Sequence, residues 1–327
     1  MKNKSERNGF SNQQVIEGLA LAYNGAYEMT AGSQAVTIRQ KHRDRVAIVV
    51  SGCVGCEAML GAVLGENLAD ALIIGSGTDP YSIMRTAISV NYGKGVLFIC
   101  SNEEKERESF LSAGGLLDEA GIDCEVVYAW DNISPGSTSD TSIRRSSAGV
   151  FFCTKIAGAA AACGLPLKEI YRTVREARNY TNSLSVCLGK GRELVAVNSL
   201  FELPDKVELD IGMVGNAIDK DLSLNSAEAV VSRMAYHLIL ASGIRIGDEV
   251  CTYVSGFGGT SLSDLAIINY YLKKKLEEKG IRIHDMVINP AASKYKTFGA
   301  TISVLQLDEK IKKLYDMPCD SLYFKKN

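Results

Sequence analysis

The sequence predicts an α/β protein that consists of two α/β domains with mostly parallel or mixed sheets. Apolar, β-rich runs alternate with helical patterns over most of the 327 residues, and this alternation favours parallel or mixed sheets. Two of the runs, residues 45–51 (RVAIVVS) and 95–100 (GVLFIC), are apolar almost throughout, which is typical of strands buried on both faces. The alternation of β-rich runs and helical patterns begins again after about residue 185, so we expect a second domain there.

The first half of the chain opens on a helical pattern at residues 13–24, where Ser11 and Gln14 have the spacing of a capping box. After the strand at 45–51 come a glycine-containing turn and a predicted helix at 57–68. The other predicted elements are a strand at 71–75, a helix at 79–91 with Pro80 in its first turn, the strand at 95–100, a helix at 103–120 ended by Gly121, a strand at 125–130, a polar loop at 134–147, and helices at 148–163 and 167–179.

The second half repeats the same alternation. Its predicted elements are strands at 185–188 and 207–212, a helix at 227–241, a strand at 249–254, a helix at 261–279, strands at 281–288 and 301–306, and a helix at 308–315. We therefore predict an N-terminal α/β domain at residues 1–185 and a C-terminal α/β domain at 186–327. Part of the C-terminal tail is expected to pack back on the first domain.

Charge and composition predict a cytoplasmic protein without direct nucleic-acid or membrane contact. The net charge is −2 and the pI is near 6.0, which excludes a globally basic nucleic-acid binder. No apolar run approaches the roughly 20 residues of a membrane helix, and the polar start, MKNKSERNGFSNQQ, lacks the apolar centre of a signal peptide. The nine cysteines are odd in number and irregularly spaced, so a disulfide framework is not expected.

The first candidate site is the turn after the strand at 45–51, with Gly52, Cys53, Gly55 and Cys56. Glycines let the backbone approach a ligand closely, and a helix N-terminus offers N–H groups. The spacing matches neither the dinucleotide fingerprint nor the lysine-containing phosphate loop, so a tight turn without a ligand stays an equal alternative. Because a second CxxC and a nearby histidine are both missing from the sequence, we expect no metal site at Cys53 and Cys56.

Two further turns join strands to helices. After the strand at 95–100, Ser101, Asn102 and Glu106 lie at a helix start. The helix dipole favours acidic residues there, so a solvated helix end is the preferred interpretation of Glu106 and a catalytic carboxylate is the alternative. The third turn, residues 254–261 (VSGFGGTS), precedes a long helix that Thr260 or Ser261 can cap. A ligand loop and a subunit or domain contact are equally compatible with this turn.

Histidine catalysis has weak support. His42 lies in a charged stretch and is predicted at the surface, whereas His237 lies within a helix and His284 in a strand. No histidine adjoins a glycine-containing turn in the sequence, so a histidine base or a nucleophile–histidine pair is not predicted.

Five segments, in order and spacing, resemble the dihydroxyacetone kinase K-subunit family (DAK1 domain) along nearly the whole chain. They are RVAIVVSGCVGCEAM, GKGVLFICSN, SIRRSSAGVFFCTKIAGAAAACG, ELDIGMVGNAID and GDEVCTYVSGFGGTSLSDL. Their counterparts in that family are the GGGSGHEP turn, the GVLLIIKNYTGD strand and turn, the GRRG helix entry, the GIHGEPG segment and the NNLGATPLSEL loop.

The resemblance implies a binding site for a small hydroxy-ketone. In the family a histidine holds dihydroxyacetone as a covalent hemiaminal, and this position falls on Val214 here. The histidine of the glycine-rich turn falls on Cys56, the lysine after the third strand on Ser101, and the aspartate that accepts the substrate proton on or near Glu106. The resemblance further implies a homodimer, and it places nucleotide on a separate L-subunit, so no cofactor is expected on this chain.

Three functions follow as hypotheses. The favoured one is a regulatory, non-catalytic K-subunit paralogue, a pseudoenzyme that acts as the coactivator of a transcription regulator, because valine has no nitrogen for the covalent bond. The alternative is an active glycerone-type kinase subunit with an altered substrate that works with an L-subunit, with a thiohemiacetal at Cys56 and Glu106 as base. A third treats Cys53 and Cys56 as a redox or metal-responsive pair, although cysteine that merely fills space is preferred there.

Overall fold

The structure, a computed structural model, describes residues 12–23, 25–52, 60–75, 78–133, 144–187, 207–209, 219–222, 226–289 and 298–327. The chain forms two compact units. The first unit consists of Met1–Tyr128, Thr154–Val174 and Leu314–Asn327, and the second of Ala129–Cys153 and Arg175–Lys313. The division at residue 185 that the sequence suggests stays a prediction.

The first unit contains a mixed six-stranded sheet. In spatial order its strands are β1 (Tyr27–Met29), β2 (Ala35–Ile38), β5 (Ala71–Ile74), β3 (Ala47–Gly52), β6 (Val96–Ser101) and β7 (Cys124–Ala129). β3 is parallel to both β5 and β6, whereas β2 is antiparallel to β1 and β5. The chain goes from β3 to β5 on one side and returns to β6 on the other, so a topological switch point lies between β3 and β6.

Helices pack against this sheet because its central strands β3 and β6 are apolar up to the serine near their carboxyl ends. Alternate residues of β3 and β6, such as Val49 and Phe98, face a core that α3 (Pro80–Val90) and α4 (Glu104–Glu119) complete. Phe98 meets Phe110 of α4 edge to face, with ring centroids 5.2 Å apart. The Asp79 carboxylate accepts a hydrogen bond from Ser82 N at 3.1 Å and so caps α3. Two other helices of this unit are α1 (Asn12–Ala22) and α9 (Glu309–Tyr315), although α9 crosses the border between the units.

The prediction of one helix over residues 57–68 is wrong at its C-terminal half. Within the described residues, helix α2 covers only Leu60–Val63 and is followed by strand β4 (Gly65–Glu66). Asn67 takes a left-handed conformation with φ 54°, which ends helical geometry there. β4 then pairs with β14 (Cys319–Ser321), which also pairs with β15 (Lys325–Lys326). A strand from the far end of the sequence thus overrides local helical propensity.

The second unit contains another mixed six-stranded sheet. In spatial order its strands are β10 (Asp219–Leu222), β9 (Val207–Leu209), β8 (Thr181–Cys187), β13 (Gly299–Gln306), β11 (Glu249–Gly256) and β12 (Arg282–Asn289). β11 is parallel to β12, and β13 is antiparallel to both β8 and β11. Helices α7 (Ala227–Ser242) and α8 (Leu262–Glu278) supply much of its core. The predicted fold class, α/β with mixed sheets, is confirmed.

β8 begins four residues earlier than the sequence indicates, because its polar residues pair across the sheet. The hydroxyl oxygens of Ser183 and Ser303 lie 2.6 Å apart, and those of Ser185 and Thr301 lie 2.8 Å apart. Such pairs let polar side chains occupy a buried strand. Helices α5 (Val150–Ala162) and α6 (Leu167–Asn179) contain the borders between the units. Across the described ranges, no helix is both long and apolar enough to cross a bilayer.

Candidate functional site

The candidate site lies at the carboxyl ends of β3 and β6, on either side of the switch point. Open α/β sheets bind ligands at this place, because the loops after adjacent parallel strands diverge there. β3 ends in Ser51 and Gly52, and β6 ends in Ser101, followed by Asn102. Ser51 and Asn102 are buried, whereas Gly52 and Ser101 are partly exposed.

Glu106 connects the two strand ends. It lies in the first turn of α4 with 1% of its surface exposed, so the interpretation of this residue as part of a solvated helix end is wrong. The Ser51 hydroxyl donates to Glu106 Oε1, and the Ser101 hydroxyl donates to Oε2 at 3.0 Å. One side chain from α4 thereby holds the ends of both strands, and both of its oxygens accept a hydrogen bond within the protein.

Burial raises the pKa of Glu106, and the nearby Glu103 carboxylate raises it further. The two serine hydroxyls act in the opposite direction, because hydrogen bonds to a carboxylate favour the charged form. The same low-dielectric environment raises the pKa of the neighbouring Cys100 thiol, to which Glu106 also contributes. The Tyr128 pKa is raised to about 12, first by burial and then by Cys100. The net result is a Glu106 pKa above its ordinary value, with burial as the main cause.

The turn between β6 and α4 is held by Arg107. Its Nη1 donates to the side-chain oxygen of Asn102 at 2.8 Å and to the backbone oxygen of Asn102 at 3.3 Å. Asn102 is thus oriented by a side chain one helical turn further on, which keeps the mouth of the turn rigid.

The end of β3 is held from its other side by β5. Gly52 pairs with Ile74, and Gly75 N donates to Gly52 O at 2.9 Å. Gly75 has φ 144°, a conformation that side chains with a Cβ rarely adopt. Three neighbouring strands thus present their carboxyl ends at one edge of the sheet.

The structure brings four of the predicted ligand-binding residues together at this edge: Gly52, Ser101, Asn102 and Glu106. Four others, Cys53, Gly55, Cys56 and Val214, lie outside the described residues. Sequence reasoning missed Ser51 as a site residue. A signal for it exists, since both β3 and β6 are apolar strands in which serine follows the apolar run at the carboxyl end.

The third predicted turn uses its polar groups internally. Ser261 caps α8 in a capping box: its hydroxyl accepts from Asp264 N at 3.2 Å, and Asp264 Oδ2 accepts from Ser261 N at 3.2 Å. Thr260 instead accepts from Gly299 N at 2.8 Å. Among the residues that the structure describes, no group of three or more His, Cys, Asp or Glu side chains could hold a metal ion.

The profile of the Dak1 domain matches residues 17–323, nearly the whole chain. The chain belongs to the Dak1 domain family. This confirms the resemblance inferred from the five sequence segments, and the edge of the sheet described above is therefore the candidate site of a Dak1 protein.

Known relatives of this Dak1 protein include binding subunits and kinases. It is 28% identical over 319 residues to the dihydroxyacetone-binding subunit of PTS-dependent dihydroxyacetone kinase 2 from Listeria innocua, covering 96% of both chains. It is 23% identical to L-erythrulose kinase from Pectobacterium atrosepticum, where the match covers 96% of this chain but 54% of the relative. The chain thus spans about half the length of that kinase.

A solved structure shows the same fold. A dihydroxyacetone kinase operon co-activator superimposes with a TM-score of 0.85 at 21% identity, covering 96% of this chain and 98% of the other. The fold is therefore one on which both a named co-activator and named kinases or their subunits are found, and the function must be argued from the site.

Proposed function

We propose that this Dak1 protein binds a small hydroxy-ketone-like ligand at the switch point of its first unit and acts as a regulatory, non-catalytic K-subunit paralogue. The observation that carries the proposal is the environment of Glu106. A general base must reach the proton that it removes. Here both carboxyl oxygens already accept from the hydroxyls of Ser51 and Ser101, so both are occupied within the protein.

The sequence supports the same proposal at a second position. The resemblance implies that the covalent histidine of the family corresponds to Val214. A valine side chain has no lone pair, so no hemiaminal can form on it, and ligand binding here is proposed to be non-covalent. Backbone groups and the serine hydroxyls at the strand ends remain suitable for hydrogen bonds to a hydroxylated ketone.

The proposed nucleotide-binding subunit, regulatory partner and oligomeric state follow from the resemblance. Nucleotide, if any is used, is bound by a separate L-subunit and not by this chain. The proposed regulatory partner is a transcription regulator, which supplies the DNA contact that an acidic chain of net charge −2 does not favour. The proposed state is a cytoplasmic homodimer.

The test is to titrate the protein with dihydroxyacetone labelled with 13C at its carbonyl carbon and to follow that carbon by NMR, because a hemiaminal turns the ketone carbon into a tetrahedral one. We expect saturable binding by calorimetry and no new tetrahedral-carbon signal from bound ligand. Val214→His serves as the matched variant, because it restores the nitrogen and should allow such a signal to appear. A tetrahedral-carbon signal from ligand bound to the wild type would contradict the non-covalent mode, and absence of saturable binding would contradict the proposal as a whole.

A second candidate function is an active kinase subunit with an altered substrate. Glu106 favours it in one respect, since a buried carboxyl with a raised pKa also suits a general base once a substrate hydroxyl displaces a serine. The assay mixes the protein with an L-subunit and a phosphoryl donor, then follows sugar phosphate over a panel of short ketoses. Turnover that is lost in Glu106→Gln would favour this candidate over the regulatory one.

A further inference from the structure

The first turns of α4 hold two successive residues of the preceding turn by two successive side chains. Glu106 Oε2 accepts from the Ser101 hydroxyl at 3.0 Å, and the guanidinium of Arg107 donates to Asn102. The helix is regular at this point, since Arg107 N donates to Glu103 O at 2.9 Å. The proposed function uses Glu106, whereas the bond between Arg107 and Asn102 has so far only a structural role.

This bond determines which end of the Asn102 amide faces the helix. A guanidinium group has donors only, whereas a carboxamide has an oxygen acceptor at one end and an NH2 donor at the other. Arg107 Nη1 can therefore meet only the oxygen, which it does at 2.8 Å. The same Nη1 also donates to the backbone oxygen of Asn102 at 3.3 Å. The NH2 group of Asn102 consequently points away from Arg107.

Burial makes the opposite orientation of the amide unfavourable. Asn102 is only 9% exposed, so water cannot readily replace a lost partner. If the amide flipped, its NH2 group would face the guanidinium, and two donors would meet without an acceptor. Leaving buried polar groups unpaired in this way is costly. The orientation of the Asn102 side chain is thus set by the presence of Arg107.

Arg107 lies close to the edge of the sheet where the candidate site is found. Burial raises the pKa of Tyr128 on β7 to about 12, and the Arg107 charge acts on this phenol in the opposite direction. The guanidinium is therefore near the carboxyl end of β7 as well as the residue that follows β6. From this position it can hold Asn102 while the side chain of Asn102 remains at the switch point.

An amide of fixed orientation distinguishes a ketone from an alcohol. The carbonyl oxygen of a ketone only accepts hydrogen bonds, so it pairs with the NH2 end of the amide. A hydroxyl group both donates and accepts, so it pairs with either end. Dihydroxyacetone and glycerol differ only at their central carbon, which carries a carbonyl oxygen in the first and a hydroxyl in the second. These two molecules therefore report on the orientation of the amide.

We infer that Arg107 is a positioning residue that holds the Asn102 amide with its NH2 group toward the ligand at the switch point, and that it thereby favours a ketone over the corresponding alcohol. The inference rests on the proposed function, because the ligand is the one that this site is proposed to bind. Arg107 is assigned no contact of its own with the ligand, so its effect passes through Asn102.

The test compares the wild type with Arg107→Ala in titrations with dihydroxyacetone and with glycerol, followed by ligand-observed NMR. The dissociation constant for dihydroxyacetone should rise by about three- to tenfold, the effect of one hydrogen bond, because the released amide can flip. The constant for glycerol should stay nearly unchanged, since its central hydroxyl can pair with either end of the amide. Arg107→Met keeps the apolar part of the side chain without a donor, and it should give the same result.

A double-mutant cycle tests whether the effect passes through Asn102. Asn102→Ala removes the amide, so adding Arg107→Ala to it should change the affinity for dihydroxyacetone no further. Arg107→Lys keeps a donor and should recover part of the wild-type affinity. The matched control is Lys105→Ala, which removes a positive charge from an exposed position of the same helix. This control should keep wild-type affinity for both ligands.

Three results overturn the inference: unchanged affinity for dihydroxyacetone in both Arg107→Ala and Arg107→Met, an equal loss of affinity for the two ligands, or a further loss when Arg107→Ala is added to Asn102→Ala. Urea denaturation of each variant shows that the proteins compared are folded. A wild type that does not bind dihydroxyacetone overturns the proposed function and this inference with it. With a wild type that binds, each of the three results overturns the role of Arg107 alone and leaves the proposed function standing.

Discussion

Among the described residues, each unit contains one buried carboxyl with a raised pKa, and the two are held in different ways. In the first unit, Glu106 accepts from two side-chain hydroxyls at the ends of parallel strands. In the second unit, Asp131 accepts from the backbone N–H groups of Ser147 and Gly149, each at 2.9 Å, and it also forms a side-chain hydrogen bond with Ser183. Burial is the largest cause of the raised pKa in both. The two backbone donors of Asp131, and not the direction of the pKa shift, distinguish the two sites.

This difference in donors indicates that Asp131 has a structural role, whereas the hydrogen-bond partners of Glu106 can be replaced by a ligand. The backbone donors of Asp131 cannot rotate away, and the chain has adapted to them: a Cβ on Gly149 would lie 2.6 Å from Asp131 Cγ. The serine hydroxyls that meet Glu106 can turn to another acceptor at little cost, because hydroxyl groups rotate. Perturbed carboxyls are candidate functional groups, but the donor set makes Glu106 the better candidate of the two.

The largest effect is expected for Asp131→Ala. The substitution leaves two buried backbone N–H groups without their acceptor, so we expect the free energy of unfolding to fall by roughly 4 kcal/mol. Urea denaturation followed by circular dichroism measures this. Asp131→Asn, which keeps one oxygen acceptor, should cost less, and dihydroxyacetone affinity should be unchanged in that variant. A loss of affinity in Asp131→Asn without a loss of stability would contradict the assignment of a structural role to Asp131.

Glu106→Ala should destabilise the protein by about 2 kcal/mol, since its two serine partners can reorient toward other groups. Glu106→Gln keeps the shape and should cost about 1 kcal/mol. Under the proposed function, the glutamine variant should also weaken dihydroxyacetone binding by about three- to tenfold, the worth of one hydrogen bond. Calorimetric titration checks the affinity, and a Glu106→Gln variant with wild-type affinity would remove Glu106 from the ligand site.

Local signals explain how much of the fold could be predicted from the sequence. The start of α3 was predictable from local sequence, because aspartate is a typical helix N-cap and proline is typical of the first helical turn, and these are the positions of Asp79 and Pro80. β1 and β2 were missed because they are short and because β2, the partner of β1, pairs with residues of β5 more than thirty positions away. The end of α2 was mispredicted for the same reason, since β4 exists only through its pairing with Asp320 and Ser321.

Prediction of the candidate site from the sequence has the same limit as prediction of the fold. Family resemblance pointed to Ser101 and Glu106, and the structure brings them together. The position of Glu106 in the first turn of a helix predicted a solvated carboxylate, because the helix dipole alone accounts for an acidic residue there. Its burial and its bond to Ser51 follow from β3 and β6 being neighbours in the sheet, which is a long-range fact that no local pattern contains.

The pH dependence of stability should follow the raised pKa of Glu106. The folded state keeps this proton at pH values where the unfolded state has already lost it, so the folded state binds more protons above the usual value of 4.5. The contribution of Glu106 to stability is therefore fully present below that value and is lost as pH rises through the folded pKa. Unfolding free energies of the wild type and Glu106→Gln, measured from pH 4 upward, should converge with rising pH.

Asp131 has a raised pKa of the same sign, so the wild-type curve alone does not separate the two groups. The difference between wild type and Glu106→Gln isolates Glu106, and Asp131→Asn provides the matching difference for the second unit. A wild-type advantage over Glu106→Gln that grows with rising pH would show that Glu106 is ionised in the folded protein, and would sharpen the case for its use as a base.

The smallest effects are expected for Ser51→Ala and Ser101→Ala. The two variants should differ in how much stability and how much ligand affinity each one loses. Ser51 is 3% exposed and Ser101 is partly exposed, so Ser51→Ala should cost about 1.5 kcal/mol of stability and Ser101→Ala about 0.5 kcal/mol. Affinity for dihydroxyacetone should show the reverse order, because the accessible hydroxyl of Ser101 is the one that a ligand can reach. Denaturation of the same two variants checks the order of their stabilities, and titration with dihydroxyacetone checks the order of their affinities. If Ser51→Ala instead loses more affinity than Ser101→Ala, the ligand approaches Glu106 from the β3 side, and the exchangeable partner of this carboxyl is Ser51.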